Sequence, residues 1–413
     1  PSKRRPDLDS LYCINADGSR NTIHPADVRG RFQRRKKLVW AVLVAIYVVL
    51  PFLHIGGHPA VQIDLPNRTF YLFGSVFDSQ DFYLAFFFVF GIGLTLILLS
   101  ALWGRVWCGY ACPHTVFLEG FFRRIERWID GPSGQREKLA KGAWTGRKLA
   151  KRVLKHGTYL VLSLALAHVF LAYFIPVDEL VGVVQHSPAE HLTAFVFTMV
   201  FTAIIYFDFA WFREQLCLII CPYGRLQSIL SDPDTVNVQY DFVRGEPRGR
   251  YHVEGRGDCI DCQRCIAVCP TGIDIRNGVQ MECVGCANCI DACDEVMDKV
   301  GSARGLIRYE SLRGVEQGRR RFWRTRVVFY AVVFAVALVG FTVLAGGRTA
   351  FDARLVRSDG PPYVVVGAGA DAQVRNIFRL HLVNKLGADA TFRITPPVPW
   401  TASGSSCRRR RSR

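Results

Sequence analysis

No lysine or arginine, of the 52 in this 413-residue chain, falls within any of five long apolar stretches. The stretches run Leu38–Ile55, Phe82–Leu102, Gly157–Ile175, Leu192–Phe212 and Val327–Ala345, with Asp208 as their one acidic residue. Each is near the roughly 20 residues that a membrane-spanning helix needs. Half of the chain is hydrophobic, which together with these runs excludes an ordinary soluble domain. Acidic residues are also few, 35 against 52 basic, for a net charge of +17. Such an excess would fit nucleic acid as a partner if it were not sorted by loop. Residues 1–37 hold 10 basic and 4 acidic side chains, and residues 103–156 hold 12 and 4. Between them, residues 56–81 hold 1 and 3, while residues 176–191 hold no base and 3 acids. Residues 213–326 hold 17 and 16, with Arg319, Arg320, Arg321, Arg324 and Arg326 against the last stretch. This alternation follows the positive-inside rule. It predicts a cytoplasmic N-terminus, a cytoplasmic second loop, a cytoplasmic long fourth loop and a tail on the outer side. The basic excess then reads as topology and contact with membrane lipid, with no nucleic acid. The N-terminal arm lacks the apolar core of a secretory signal, so no cleaved leader is expected.

No cysteine is missing from a duplicated pattern in the fourth loop. Residues 259–270 read CIDCQRCIAVCP and residues 283–293 read CVGCANCIDAC, both with C-x2-C-x2-C-x3-C spacing. Three thiolates on a tight loop wrap three corners of a cubane, and the fourth reaches the other cluster. The expected assignment is therefore crossed. Cys259, Cys262, Cys265 and Cys293 would hold one [4Fe–4S] cluster, and Cys283, Cys286, Cys289 and Cys269 the other. Asp294 stands where Pro270 stands in the first copy, a departure confined to the local turn. Disulfides are disfavoured in a reducing cytoplasmic loop. Zinc prefers two C-x2-C pairs to these longer runs.

Two further pairs lie at the ends of apolar stretches. WCGYACP places Cys108 and Cys112 just after the second, and LCLIICP places Cys217 and Cys221 just after the fourth. Both C-x3-C-P motifs fall on the side of the clusters. A spacing of four on a helix puts two sulfurs on one face, and the proline biases the residue before it out of the helix. Arg105 and Arg225 are near enough in sequence to lower the thiol pKa values. A single pair would read as buried small hydrophobes. Two copies at equivalent positions point to one four-thiol site or two thiol pairs, and soft thiolates favour Cu(I) or redox cycling.

The remaining candidates are weaker. His54, His58, His186 and His191 fall on the outer side by topology and are candidates for copper or haem, set against an interfacial role. His168, in mid-stretch, is a haem-ligand candidate, set against a packed or hydrogen-bonded histidine. Asp208 is an intramembrane carboxylate, functional or reaching the interface. The segment Phe121–Ile129 (FFRRIERWI) is expected to lie amphipathically on the inner membrane surface. Cys13 and Cys407 are isolated and carry no assignment.

The stretches GRVWCGYACPHTVFLEGFFRRIERWIDG and FREQLCLIICPYGRLQS, with the crossed cluster motifs between the last two spans, resemble the cytochrome c oxidase accessory protein family (CcoG, also called FixG or RdxA). The likeness covers nearly the whole chain. NapH- and NosR-like membrane ferredoxins are more distant and share the paired C-x3-C-P motifs. The resemblance implies an oxidoreductase of the bacterial inner (cytoplasmic) membrane that reduces Cu(II) to Cu(I) for assembly of a cbb-type oxidase. It makes Cys108, Cys112, Cys217 and Cys221 the copper or redox residues. It further implies a cytoplasmic electron donor, with copper chaperones or oxidase assembly factors as partners, and leaves a homodimer open. The alternatives are a quinol- or quinone-coupled electron-transfer subunit and a non-catalytic assembly scaffold.

The expected fold is thus a mainly α membrane protein with about five transmembrane helices and a cytoplasmic bacterial-type ferredoxin insert, to which the resemblance adds a C-terminal immunoglobulin-like β-sandwich. Its parts are a basic arm (1–37), a four-helix membrane domain (38–212) containing the basic loop 103–156, a cytoplasmic loop (213–326) with a ferredoxin core at about 250–300, a fifth helix (327–345) and a periplasmic tail (346–413). In the tail, PPYVVV, VRNIFRLHLVNK and ATFRI fit the first strands of such a sandwich. Only 68 residues follow Ala345, where a sandwich takes about 100, so an incomplete one is expected.

Overall fold

The computed structural model describes residues 22–56, 58–66, 68–77, 81–250, 254–349, 351–357, 360–361, 363–367, 373–376, 378–384 and 391–393. Cys13 and Cys407 lie outside the described residues, as does most of the N-terminal arm. Four helices are long and apolar enough to cross a membrane: α2 (Phe82–Trp103), α7 (Gly146–Leu171), α9 (Leu192–Phe207, continued by a π-helical turn to Phe212) and α15 (Thr325–Gly346). Packed in two pairs, α2 lies along α15 and α7 along α9. Their outward faces expose apolar side chains such as Phe86, Val89, Val161, Val200, Val336 and Val339. A surface of that kind needs lipid to cover it.

The first apolar stretch differs from expectation. Its helix α1 runs Arg31–Val49, starting inside the basic run, and ends at a 3-10 turn, Leu50–Phe52, that contains Pro51. The chain then forms a hairpin of β1 (His54–Ile55) and β2 (His58–Pro59), followed by a three-stranded sheet of β3 (Val61–Asp64), β4 (Thr69–Leu72) and β5 (Ser75–Phe77). The proline halts the helix before Ile55. Because its first turns carry Arg31, Arg34, Arg35, Lys36 and Lys37, α1 is not apolar over a full span length as the other four are.

Short helices fill the loop between α2 and α7: α3 (Val106–Tyr110), α4 (Pro113–Phe117), α5 (Arg123–Asp130) and α6 (Ser133–Lys141). Between α7 and α9 lies α8 (Val177–Gln185), and α10 (Pro222–Leu230) follows α9. A cluster of Leu118, Phe122, Tyr159, Leu166 and Phe209 ties the loop to α7 and α9. Its rings pack closely, Phe122 on Phe209 at 4.5 Å and on Tyr159 at 4.9 Å.

The ferredoxin unit is closed by an antiparallel pair, β6 (Asn237–Tyr240) with β7 (Ile307–Glu310), in register from Asn237–Glu310 to Tyr240–Ile307. Between them come α11 (Phe242–Gly245), α12 (Arg264–Ala267) and α13 (Asn288–Val300), and α14 (Leu312–Gln317) follows. Val238, Tyr240, Ile273, Ile275, Ile290, Met297, Leu306 and Ile307 form its core. In the tail, β8 (Phe351–Arg357) pairs with β11 (Phe378–Asn384), and β9 (Val364–Val366) pairs with β10 (Gln373–Arg375). Leu355, Val356, Val364, Val365 and Leu380 stay exposed. Two sheets packed face to face, the mark of a sandwich, are not seen among the described residues. In ATFRI, residues 391–393 form no strand.

Candidate metal centres

Within the ferredoxin unit the two cysteine runs adopt one backbone design. Asp261 and Gln263 in the first run have φ of 51° and 57°, and their counterparts Gly285 and Ala287 in the second have 65° and 60°. Successive residues of this kind turn backbone N–H groups inward, making a concavity that suits an anion or a sulfur cage. One N–H already points at a thiol, Gly285 N to Cys283 Sγ at 3.5 Å. Cys259, Cys262, Cys265 and Cys293 line one pocket. Cys269, Cys283, Cys286 and Cys289 line a second, which Cys265 also touches. Four thiols about each cavity fit the donor set of a [4Fe–4S] cluster.

Burial pushes Cys265 and Cys293 up to about 12, Cys283 to about 12 and Cys286 to about 11. Metal-free thiols here are therefore protonated at neutral pH, and a cation must displace the protons. The proline difference has a structural consequence. After Pro270 the chain turns away, whereas Asp294 lets α13 run on to Val300 and accepts a bond from Gly305 N at 3.0 Å.

The second cysteine run lies against α3, and α1 is anchored beside it. Asp291 accepts the N–H groups of Phe32 (3.2 Å) and Gln33 (2.9 Å) at the start of α1. A carboxylate there satisfies orphan donors and the helix dipole. A side chain at Gly30 would collide with Asp291. Lys36, 2% exposed, donates to Asn288 Oδ1 (2.8 Å) and to the Cys286 carbonyl (3.1 Å). Part of the basic run thus serves the cluster loop.

The C-x3-C-P motifs are each broken between their cysteines. Cys108 lies in α3, and Cys112 is extended (φ −61°, ψ 124°) ahead of Pro113 at the start of α4. Cys217 lies in a π-helical turn, Leu216–Ile220, and Cys221 is extended (φ −64°, ψ 110°) ahead of Pro222 at the start of α10. The expected single helical face is therefore replaced by a turn, a break and a new helix, because proline disfavours helix at the preceding residue. The break recurs in detail: Cys112 N bonds Trp107 O at 2.9 Å and Cys221 N bonds Leu216 O at 2.8 Å.

The four thiols come together electrostatically. Burial pushes Cys108 up to about 11, with Cys112 and Cys221 adding in the same direction. Cys217 is raised by burial and then by Cys112, Cys108 and Cys221. Arg105 lowers Cys108 as expected, but burial outweighs it. Arg105 also bridges the two centres, donating to the Cys283 carbonyl and the Gly224 carbonyl at 3.0 Å each. Helix α3 rests directly on the cluster loop. A Cβ at Gly109 would stand 2.5 Å from Gly285 O and 3.0 Å from Cys286 Cα.

Residues 212–312 match a family model described as a 4Fe-4S dicluster domain, and residues 84–132 match one described as a 4Fe-4S binding domain. Protein RdxA of Cereibacter sphaeroides is 38% identical over 391 residues, covering 91% of this chain and 82% of that protein. Protein RdxB of the same organism is 35% identical over 94% of this chain and 83% of its own. Nitrogen fixation protein FixG of Rhizobium meliloti is 35% identical over 91% and 79%. The chain belongs to the RdxA/FixG family. It is an iron–sulfur, electron-transfer protein of a membrane. No solved structure matches it.

In this RdxA/FixG-family chain two features of the thiol site were not evident from sequence. His114, two residues after Cys112, has Nδ1 3.5 Å from Cys217 Sγ and Nε2 3.3 Å from Asp208. Asp208 thus faces a histidine rather than solvent, and the C-P-H tripeptide was the available signal. The second feature is a buried ion network behind the thiols. Glu126 accepts from Arg213 at 2.8 and 3.2 Å, with Lys155 at 3.7 Å and Arg136 at 3.8 Å. Burial alone would raise Glu126, but the charge and hydrogen bonds of Arg213, with Lys155, hold it at about 2. Phe121–Ile129 is two-faced, but its inner face is charged as well as apolar: Phe122, Arg123 and Glu126 are buried, while Phe121, Arg127 and Trp128 are exposed.

The remaining candidate histidines separate into two places. His54 and His58 sit on the β1–β2 hairpin, where His58 stacks on Tyr71 at 4.8 Å. His168, His186 and His191 line one cavity instead. Among the described residues, no three His, Cys, Asp or Glu side chains meet at the spacing of a single metal ion.

Proposed function

We propose that this RdxA/FixG-family protein carries electrons from a cytoplasmic donor to Cu(II) at the four membrane-edge thiols and releases Cu(I) for assembly of a haem–copper oxidase. When bound, two [4Fe–4S] clusters supply one-electron storage. Cys259, Cys262, Cys265 and Cys293 would hold one cluster, with Cys262 exposed to a docking donor, and Cys269, Cys283, Cys286 and Cys289 would hold the other, beside the edge thiols. Each Cu(II) bound by Cys108, Cys112, Cys217 and Cys221 would take one of the electrons that the donor supplies.

The observation that carries this reading is the seat of α3: Gly109 lies against Gly285 and Cys286 while Cys108, one residue away, joins the thiol group. Soft thiolates favour Cu(I) over Cu(II), which pulls the reaction forward. Positive-inside sorting of the loops supports a cytoplasmic position for the clusters and thiols. The tail, whose described strands form two antiparallel pairs, would lie on the outer side. Copper chaperones or oxidase assembly factors would take the product. The test is reoxidation of dithionite-reduced protein by Cu(II), compared with a variant in which Cys108, Cys112, Cys217 and Cys221 are Ala. Loss of reoxidation with intact cluster spectra is expected, and an unchanged rate would refute the reading.

One observation favours a second reading. The match to a 4Fe-4S binding domain over residues 84–132 spans only two cysteines, Cys108 and Cys112. With Cys217 and Cys221 they would supply four ligands for a third cluster. Iron content separates the two, at about eight atoms per chain for two clusters and about twelve for three.

A further inference from the structure

The two cysteine runs of the ferredoxin unit share a backbone design and differ in the charges around them. Beside the second run stand two cations, Lys36 and Arg105, bonded to neutral oxygens and in no ion pair among the described residues. Buried Lys36 has its Nζ 3.1 Å from the Cys286 carbonyl, 2.8 Å from Asn288 Oδ1 and 5.1 Å from the centroid of the Trp40 ring. Acceptors and a π face are the surroundings of an ammonium, whose three N–H groups all donate. Arg105 donates to the Cys283 carbonyl at 3.0 Å. The carboxylates that bear on this run are engaged elsewhere. Asp291 takes two N–H groups of α1, and Glu119 pairs with Arg123.

About the first run the charges are matched. Arg276 is clamped by Asp274 at 2.7 Å and Asp261 at 2.5 Å, and Asp294, next to Cys293, has Arg31 at 3.6 Å. Arg264 turns to the Asp27 carbonyl at the exposed rim, where solvent and salt screen it. Sulfurs of both runs accept hydrogen bonds, Cys259 from Tyr240 and Cys283 from Gly285, so the cations are the larger difference.

Exposure runs the other way. Cys262 of the first run is exposed, whereas Cys269, Cys283, Cys286 and Cys289 are not. A cluster held by four thiolates grows more negative on reduction, so water favours the reduced form and burial opposes it. Exposure alone would thus make the first site the easier to reduce. A cation in a dry setting outweighs that, because its field is little screened. Both cations act on the thiols in this sense: Lys36 lowers Cys286 and Arg105 lowers Cys283, against burial. We propose that Lys36 and Arg105 are tuning residues that give the site of the second run, beside the edge thiols, the higher reduction potential of the two. This deepens the electron transfer proposed above and rests on it only for the direction in which electrons leave.

The experiment is a potentiometric titration of the cluster-loaded protein, followed by electron paramagnetic resonance with no copper present. Two separate one-electron steps are expected. Lys36→Met, uncharged and similar in volume, should shift the upper step down by about tenfold in the ratio of reduced to oxidised protein, about 59 mV for one electron. Arg105→Gln should move the same step down by less, and Lys36→Arg should keep most of the native value. Asp294→Asn, next to Cys293, should raise the lower step alone, which assigns that step to the first run. Native iron content certifies each variant, and if Lys36→Met loses iron, Arg105→Gln carries the same two readings. Native steps that coincide, a lower step moved by Lys36→Met, or no shift from either neutral substitution would each overturn the proposal. Because no copper enters the titration, this result and the edge-thiol reduction assay fail separately.

Discussion

At the end of the second span the chain turns on Gly104, with φ 48° and ψ −115°, and at the end of the fourth on Arg213, with φ 52° and ψ −121°. Four residues after each comes the first cysteine of a C-x3-C-P block, then a break, then a helix opened by proline. The two regions share a backbone and differ in what holds it. Gly104 is glycine for a steric reason, since a side chain would collide with Asn237. At the second turn a non-glycine residue occupies left-handed backbone, which costs about 1–3 kcal/mol. The guanidinium of Arg213 offsets that by closing the ion network on Glu126. The first block meets the ferredoxin unit at Gly109, which lies against Gly285, and at Tyr110, which bonds Tyr309, while Cys217 of the second lines a pocket with Pro270, Thr271 and Val284. Both copies therefore border the ferredoxin unit, each through different contacts.

The comparison can be broken most severely at the thiols. If the blocks form one site, Cys108→Ala and Cys217→Ala should each cut Cu(II)-driven reoxidation by about 100-fold, and the double variant should lose little more. Two independent sites would instead give partial, additive losses. Next, Arg213→Ala should destabilise the protein by about 3–5 kcal/mol, because it leaves the buried Glu126 charge unpaired. Thermal unfolding would show it, and Arg213→Gly should be no milder despite relieving the backbone.

The same pair sets acid sensitivity. Glu126 is lowered from 4.5 to about 2, so its stabilisation is present above pH 4.5 and is lost as pH falls toward about 2. Glu126→Gln should abolish that part of the acid transition. Smaller effects follow from α3. Gly109→Val should slow cluster reoxidation about tenfold without altering cluster spectra, while Leu218→Ala, at the equivalent place in the second block, should do little. Smallest is a chemical reactivity. With Cys108 pushed up to about 11 from 9, its alkylation at pH 8 should be about 100-fold slower than that of an ordinary thiol.

Much of this was legible in the sequence because the signals are local. Four apolar runs became four span-length helices, and the cysteine runs line two pockets, with Cys293 beside the first run and Cys269 beside the second. The boundary errors also have local causes. Pro51 stopped α1 short of Ile55, and Pro113 and Pro222 broke what spacing alone made a continuous face. What stayed hidden depends on distant residues. Nothing near Lys36 announces Asn288 and Cys286, and nothing near Asp208 announces His114. His168 lacked a partner in sequence because its cavity is shared with α8 and α9. The strand Phe351–Arg357 was missed, and the sandwich expected of the tail rested on resemblance rather than on its own pattern.

The central claim is that the paired thiols are where electrons leave the clusters. Stopped-flow mixing of reduced protein with Cu(II) tests it most directly, with the Cys108, Cys112, Cys217 and Cys221 to Ala variant alongside. Rapid cluster reoxidation with stoichiometric Cu(I) in the native protein, and its loss in a variant with native cluster spectra, is the predicted result. Equal rates in the two proteins would contradict it.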